Sequence, residues 1–354
     1  MKILIISSIF FLSTLPLLSQ SKKDIAAQKG IEAVKLMDCG KVEESITLLK
    51  EAQKLDPANI VYPYEIAYAH CLEENYEEAI NILKPIQDNE EASDTFFQML
   101  GICYNSIGNN EGAIKTFEEG IKKFPDSGAL YFELGNVYMA QDERYTALSY
   151  FEKGIAADPK YPSNYYWAAK IYLDTEDEVW GMLYGELFMN LERNTHRTVE
   201  MSKLLYETYK SEITIVSDSA VSVSFCKYAG LDLKNNSESS FGSGIYEPIL
   251  MLSLPHVKTL DLATLSTIRT NFLNIYYKNN IENIYPNVLL DYQKLLMNAG
   301  YLEAYNYWIL MQGDPSEFLQ WKSANESKWK SFTDWFSNNP IKLSSKNKFV
   351  KDQY

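Results

Sequence analysis

Residues 94–159 repeat themselves at a shift of 34 residues. Leu100–Gly101 falls on Leu134–Gly135, Tyr104 on Tyr138, Ala113 on Ala147, Phe117 on Phe151 and Pro125 on Pro159. A fixed period of this length means one supersecondary unit, copied and stacked on itself. Each matched position has a physical role. Gly101 and Gly135 carry no side chain, so two helices can approach closely there, and Ala113 and Ala147 allow the same from the second helix. Leu100, Tyr104, Phe117 and their counterparts fill the space that remains. Pro125 and Pro159 end the second helix, because proline lacks the N–H donor and clashes with the preceding turn. One such hairpin cannot bury its apolar face alone, so its neighbours must stack on it.

This pattern resembles the tetratricopeptide repeat, a helix–turn–helix unit. The resemblance implies a mainly α protein built as a right-handed superhelical array. A shift of 34 towards the N-terminus puts Ala67 and Ala33 at the small first-helix position. It puts Ala79 and Ser45 at the second-helix one, and Leu83 and Leu49 where Phe117 sits; Pro57 again closes a helix. The opposite shift gives Ala169 and Tyr172, then Gly181 and Gly185, with Arg193 in place of the terminal proline. We therefore expect about five repeats over residues 24–194, the first and last degenerate as befits capping units. The second repeat departs as well: His70 stands for Tyr104 and Glu91 for Pro125. His70 reads as an imidazole wedged between helices, since a ligand or catalytic role needs an acid or metal partner beside it.

After Arg197 the period is lost. Thr198–Lys210 reads as one more helix. Ile213–Val216 and Val221–Phe225 alternate and are β-branched, which predicts a hairpin. Leu233–Gly244 is a loop by composition, and Gly242-Ser-Gly244 reads as linker. Leu262, Leu265, Ile268, Phe272, Ile275 and Tyr276 share one helical face. Val288–Met297 and Ala304–Met311 suggest a further helical pair, and Trp321, Trp329 and Trp335 belong to helices before a lysine-rich tail from Lys342. Residues 198–354 are thus expected to form a mostly helical C-terminal region with a small β-hairpin.

The N-terminus reads as a signal peptide, residues 1–19. Lys2 precedes an apolar stretch, Ile3–Leu18, interrupted by polar residues, and Leu17-Leu18-Ser19 offers a cleavage site. The stretch is short for a membrane span, and no other segment suits one. The expectation is an exported chain, periplasmic or secreted if bacterial. Lysine and arginine number 33 against 47 aspartates and glutamates, a net charge of −14, so phosphate backbones repel the chain and nucleic acid is a poor partner. The chain contains no His-Glu-x-x-His, Gly-x-Ser-x-Gly, phosphate-binding Gly-Lys-Ser/Thr or Cys-x-x-Cys motif, so no catalytic residue, metal or cofactor is expected. The acidic turn Asp174–Glu178 lacks the spacing and glycine of a calcium loop and reads as solvated. Of the four cysteines, Cys39, Cys71, Cys103 and Cys226, only a Cys71–Cys103 bridge is conceivable, and buried thiols are the default.

In the family resembled, first helices line a concave groove. Carried over by repeat position, the groove residues are Val61, Tyr64, Tyr68, Cys71 and Leu72, then Thr95, Gln98, Ile102, Asn105 and Ser106. The fourth repeat adds Ala129, Phe132, Asn136, Met139 and Ala140, and the fifth Ser163, Tyr166, Lys170, Leu173 and Asp174. Of these, Tyr64, Tyr68, Gln98, Ile102, Asn105, Phe132, Asn136, Met139, Tyr166 and Lys170 are the candidate contacts for a protein or peptide. That groove is aromatic and amide-rich with little charge. Some members clamp a C-terminal carboxylate with lysine and arginine here; only Asn136 and Lys170 remain, so that activity is not expected. Three functions fit: an exported scaffold or adaptor, a structural subunit of a cell-envelope complex docking through its C-terminal region, or an enzyme hidden in that region. In an alternative arrangement Tyr64, Tyr68 and Phe132 pack against residues 198–354 and the groove is filled from within.

Overall fold

A computed structural model describes residues 21–217, 220–226, 241–254 and 259–354. The signal-peptide expectation and most of the Leu233–Gly244 loop lie outside these residues. The described residues fall into two compact units, one up to Ala92 and the other from Ser93.

The first unit holds two helical hairpins. Helix α1 (Lys22–Asp38) is capped by Ser21, whose hydroxyl accepts from the Asp24 amide. It turns into α2 (Val42–Leu55), followed by α3 (Val61–Leu72) and α4 (Tyr76–Leu83). Ala26, Ala33 and Met37 of α1 pack with Ile46, Leu49 and Ala52 of α2 and with Tyr62, Ile66 and Ala69 of α3. Helix α4 is short because Pro85, in the 3₁₀ turn Lys84–Ile86, ends it ahead of the place where proline stands in the other repeats.

The second unit begins with three more hairpins: α5 (Asp94–Ser106) and α6 (Asn110–Lys123), α7 (Gly128–Ala140) and α8 (Arg144–Ala157), α9 (Pro162–Tyr172) and α10 (Glu178–Leu191). The close approach at the repeat glycines is real. A Cβ at Gly101 would lie 2.2 Å from the Phe117 ring, and one at Gly135 would lie 2.4 Å from the Phe151 ring. Helices α2, α6 and α8 each stop two residues before Pro57, Pro125 and Pro159. The turns inside the hairpins also keep the period. Gly40, Glu74, Gly108 and Asp142 follow one another at the 34-residue spacing, and all four have φ between 59° and 76°.

Beyond the repeats come α11 (His196–Glu212) and an antiparallel pair, β1 (Ile213–Ser217) and β2 (Ala220–Val223), in which Ile213 faces Val223. A π-helical turn, Phe241–Tyr246, leads into α12 (Glu247–Ser253). Then follow α13 (Leu262–Lys278), α14 (Val288–Asn298), α15 (Leu302–Leu310), α16 (Pro315–Ala324) and α17 (Glu326–Asn338). The Gly242–Gly244 segment is therefore not a linker. Phe241 and Gly242 are buried, and a Cβ at Gly242 would meet the Cys226 sulfur at 2.5 Å.

A single hydrophobic core runs from Ala147 to Val350. Its centre is α10, buried at every position from Val179 to Asn190, because α9, α11 and α14 cover it from different sides. A polar network is buried there too. The Arg269 guanidinium meets Glu186 at 2.7 Å, the Asn306 side-chain oxygen at 2.8 Å and the Tyr209 hydroxyl at 3.2 Å. Glu186 accepts from Tyr305 at 2.8 Å and from Gln293 at 2.5 Å. Burial opposes the Arg269 charge, but Glu186 and the neighbouring tyrosines outweigh it and hold the guanidinium above its usual range. The final residues return to α10: the Lys351 amide donates to the Tyr184 hydroxyl at 2.9 Å, and Phe349 lies against Trp180.

Candidate protein-binding surface

In the first unit, α3 presents one apolar face to solvent. Val61, Tyr68 and Leu72 are 52, 45 and 49% exposed, while Tyr64 and Cys71 are half-buried. Ile31 and Val34 of α1 are exposed as well. Between α1 and α3 lies an open hollow of about 470 Å³, walled by Ala27, Gly30, Ile31, Val34, Val61 and Tyr62. The repeat explains it. Ala27 and Gly30 hold the positions that Val61 and Tyr64 hold one period later, so volume filled in the second repeat is vacant in the first. The groove positions above begin at the second repeat; carrying the same shift one step further reaches this hollow.

In the second unit the predicted row divides into three parts. On α5, Asn105 and Ile102 are exposed and Gln98 is half-buried. On α7, Phe132 packs on the rings of Phe151 and Tyr161, with centroids 6.1 and 5.8 Å away, and Asn136 and Met139 are half-buried. On α9 the row is closed. Tyr166 is buried, its hydroxyl donates to Glu200 of α11, and the Lys170 ammonium meets the same carboxylate at 2.7 Å. Arg197 of α11 donates to the Ser163 hydroxyl at 3.1 Å. The filling from within that the sequence left open thus occurs at the fifth repeat, where α11 covers it.

The sequence reading missed two carboxylates. Glu133 is half-buried and accepts from the Gln98 amide at 3.0 Å and from Asn136. Burial pushes its carboxyl above the usual range, against the pull of both amides. Glu65 borders the hollow beside α3, and burial alone raises it. The two occupy the same repeat position, two periods apart, next to Tyr64 and Phe132. They fell outside the groove positions carried over, so the expectation of little charge does not hold for this face.

The other residues singled out in the sequence are placed as follows. Arg144 meets Asp174 of the acidic turn at 2.7 Å, which ties that turn to α8. His70 is half-buried within α3. The four cysteines carry thiols, with Cys103 and Cys226 buried, and Cys226 is held far above its usual range by burial and by Glu247. Among the described residues, no three histidine, cysteine, aspartate or glutamate side chains gather as metal ligands do, and no helix is long and apolar enough to cross a membrane.

Family models for the tetratricopeptide repeat match residues 97–127 and 128–161. Residues 97–161 are tetratricopeptide repeats. The matched segments correspond to α5–α6 and α7–α8. Several solved tetratricopeptide (TPR) structures are similar. A thermophilic TPR protein of Thermus thermophilus is 17% identical, with 51% of this chain and 98% of that one covered at a TM-score of 0.41. Pseudomonas aeruginosa PilF is 16% identical, with 53 and 86% covered and a TM-score of 0.47. YrrB, described as a TPR protein with an unusual peptide-binding site, is 17% identical, with 50 and 92% covered and a TM-score of 0.38. No curated protein matches the sequence.

Proposed function

We propose that this TPR protein is an exported, non-catalytic adaptor that holds a protein or peptide on the first-helix face of its repeats. The observation that carries this reading is the row of large apolar side chains left in solvent on α3, with the hollow beside it. Scattered exposed apolar residues are ordinary, but a contiguous patch flanking a hollow marks an interaction site. Aromatic residues there supply contact area at low entropic cost. TPR proteins as a class bind protein or peptide partners.

The test is crosslinking and pull-down from cells, comparing wild type with Tyr68→Glu and Ile102→Glu. Both side chains stand in solvent, so the fold is expected to survive. Phe132→Glu is less suitable, because Phe132 packs on Phe151 in the core. Loss of a specific partner in either exposed variant supports the adaptor. Retention of every partner in both sinks it.

A second reading, docking of the C-terminal region in an envelope assembly, is favoured by exposed Met251, Leu252 and Ile284 at 50, 73 and 73%. Deleting residues 198–354 would strip the cover from α10 and so cannot separate the two readings. Leu252→Glu and Ile284→Glu can, since they change only that surface.

A further inference from the structure

On the α5–α7 surface the Gln98 amide donates to Glu133 at 3.0 Å, and Asn136 donates to it as well. No ion pair reaches Glu133 among the described residues, and the cations closest along the row are committed. Lys170 is held by Glu200 at 2.7 Å and Arg197 by Glu192. What remains is a half-buried carboxylate held only by neutral amides. Ile102, 38% exposed, stands one turn along α5 from Gln98, and Phe132 precedes Glu133 on α7. The same repeat position carries Glu65 in the first unit, again with no cation among the causes of its shift. At Glu133 a half-buried carboxylate stands beside apolar surface with only neutral donors, which folding needs explain poorly. Burial of a carboxylate with neutral partners alone costs free energy that a neutral residue would not.

We infer that the α5–α7 surface receives a lysine- or arginine-bearing segment of a partner polypeptide. The cationic head lies at Glu133, and the alkyl stem lies along Ile102 and Phe132. Lysine and arginine alone combine several donors, no acceptor and an apolar stem of that length. The net charge of −14 steers such a segment towards the chain. This deepens the adaptor reading and rests on it.

Two fluorescein-labelled decapeptides serve as probes, one alternating leucine with lysine and the other leucine with glutamate, titrated by anisotropy into the purified protein. The lysine peptide should bind, and Glu133→Gln should weaken it about tenfold, the worth of a lost charge-assisted hydrogen bond. Glu118→Gln, which removes the same charge from the exposed face of α6, should change binding less than about twofold. Gln98→Lys, which supplies Glu133 with a lysine from within the chain, should block the lysine peptide as well. Equal losses in Glu133→Gln and Glu118→Gln would overturn the inference by reducing binding to net charge. Equal binding of both peptides, abolished by Ile102→Glu, would also overturn it while leaving the adaptor reading intact. If neither peptide binds and the Tyr68 and Ile102 variants keep every cellular partner, the adaptor reading falls with it.

Discussion

Removing one charge from the Glu186–Arg269 pair should unfold the second unit far more easily. Glu186 and Arg269 are 4 and 7% exposed, so neither side chain can turn to water when its partner is lost. In Glu186→Gln the shape is kept and the Tyr305 and Gln293 contacts can in part re-form, but the Arg269 charge is left with neutral acceptors alone, Asn306, Tyr209 and the new amide oxygen. Breaking a buried pair from one side costs about 3–5 kcal/mol. We expect about 3 kcal/mol from Glu186→Gln and about the same from Arg269→Met, which strands the carboxylate. The double variant Glu186→Gln/Arg269→Met should cost at least about 2 kcal/mol less than their sum, because no bare charge remains. Urea unfolding followed by tryptophan fluorescence is the assay. All six tryptophans lie between Trp167 and Trp335, so the signal reports the second unit alone. With a urea dependence of about 3 kcal/mol/M for a unit of this size, each single variant should lower the midpoint by about 1 M. A shift below about 0.3 M, or strict additivity in the double variant, would refute the reasoning. The apolar core around α10 would then hold the C-terminal region to the repeats without help from the pair.

Further perturbations follow from the same geometry. Gly135→Ala places a Cβ 2.4 Å from the Phe151 ring, and thermal melts should show a loss of about 1–3 kcal/mol that Phe151→Leu partly restores. Asp142 has φ 61°, so Asp142→Gly should stabilise by about 0.5–1 kcal/mol, the relief of left-handed strain less the added chain entropy, read by urea midpoint. Burial, assisted by Glu212, Asp177 and Glu176, pushes the Glu178 carboxyl up to about 7. A raised acid binds its proton more tightly in the folded state, so its contribution is lost as pH rises from the unfolded value through 7. Glu178→Gln should therefore be more stable than wild type by about 1–2 kcal/mol near pH 8, after allowance for solvent screening, and should match it near pH 4.

Much of the repeat architecture could be read directly. The glycine–phenylalanine contacts, the proline stops and the helix pairs through α10 depend on residues close in sequence or one period apart, so the chain carries them openly. The buried face of α13 and the β1–β2 pair were legible for the same reason, since a helical stripe and a two-strand alternation are local signals. Three features were not. The Gly242–Gly244 segment has linker composition, and only its contact with Cys226 shows why side chains are excluded there. Tyr166 and Lys170 occupy groove positions by count, yet Glu200 and Arg197 of α11 close over them. Glu65 and Glu133 share a repeat position two periods apart, with Met99 between them, and lie outside the family's groove positions, so the charge on that face went unread.

The sequence by itself determined that residues 97–161 are TPR repeats, where their helices stop, and which small residues let them touch. Tertiary structure decided which first-helix faces stay open. A period of 34 residues fixes how each repeat meets a copy of itself. It is silent about covering by segments outside the period, and α11, α14 and the final residues have none. Burial of α10, closure over Tyr166 and the half-burial of Glu133 all depend on what lies across from them, and that is set by packing between residues distant in the chain.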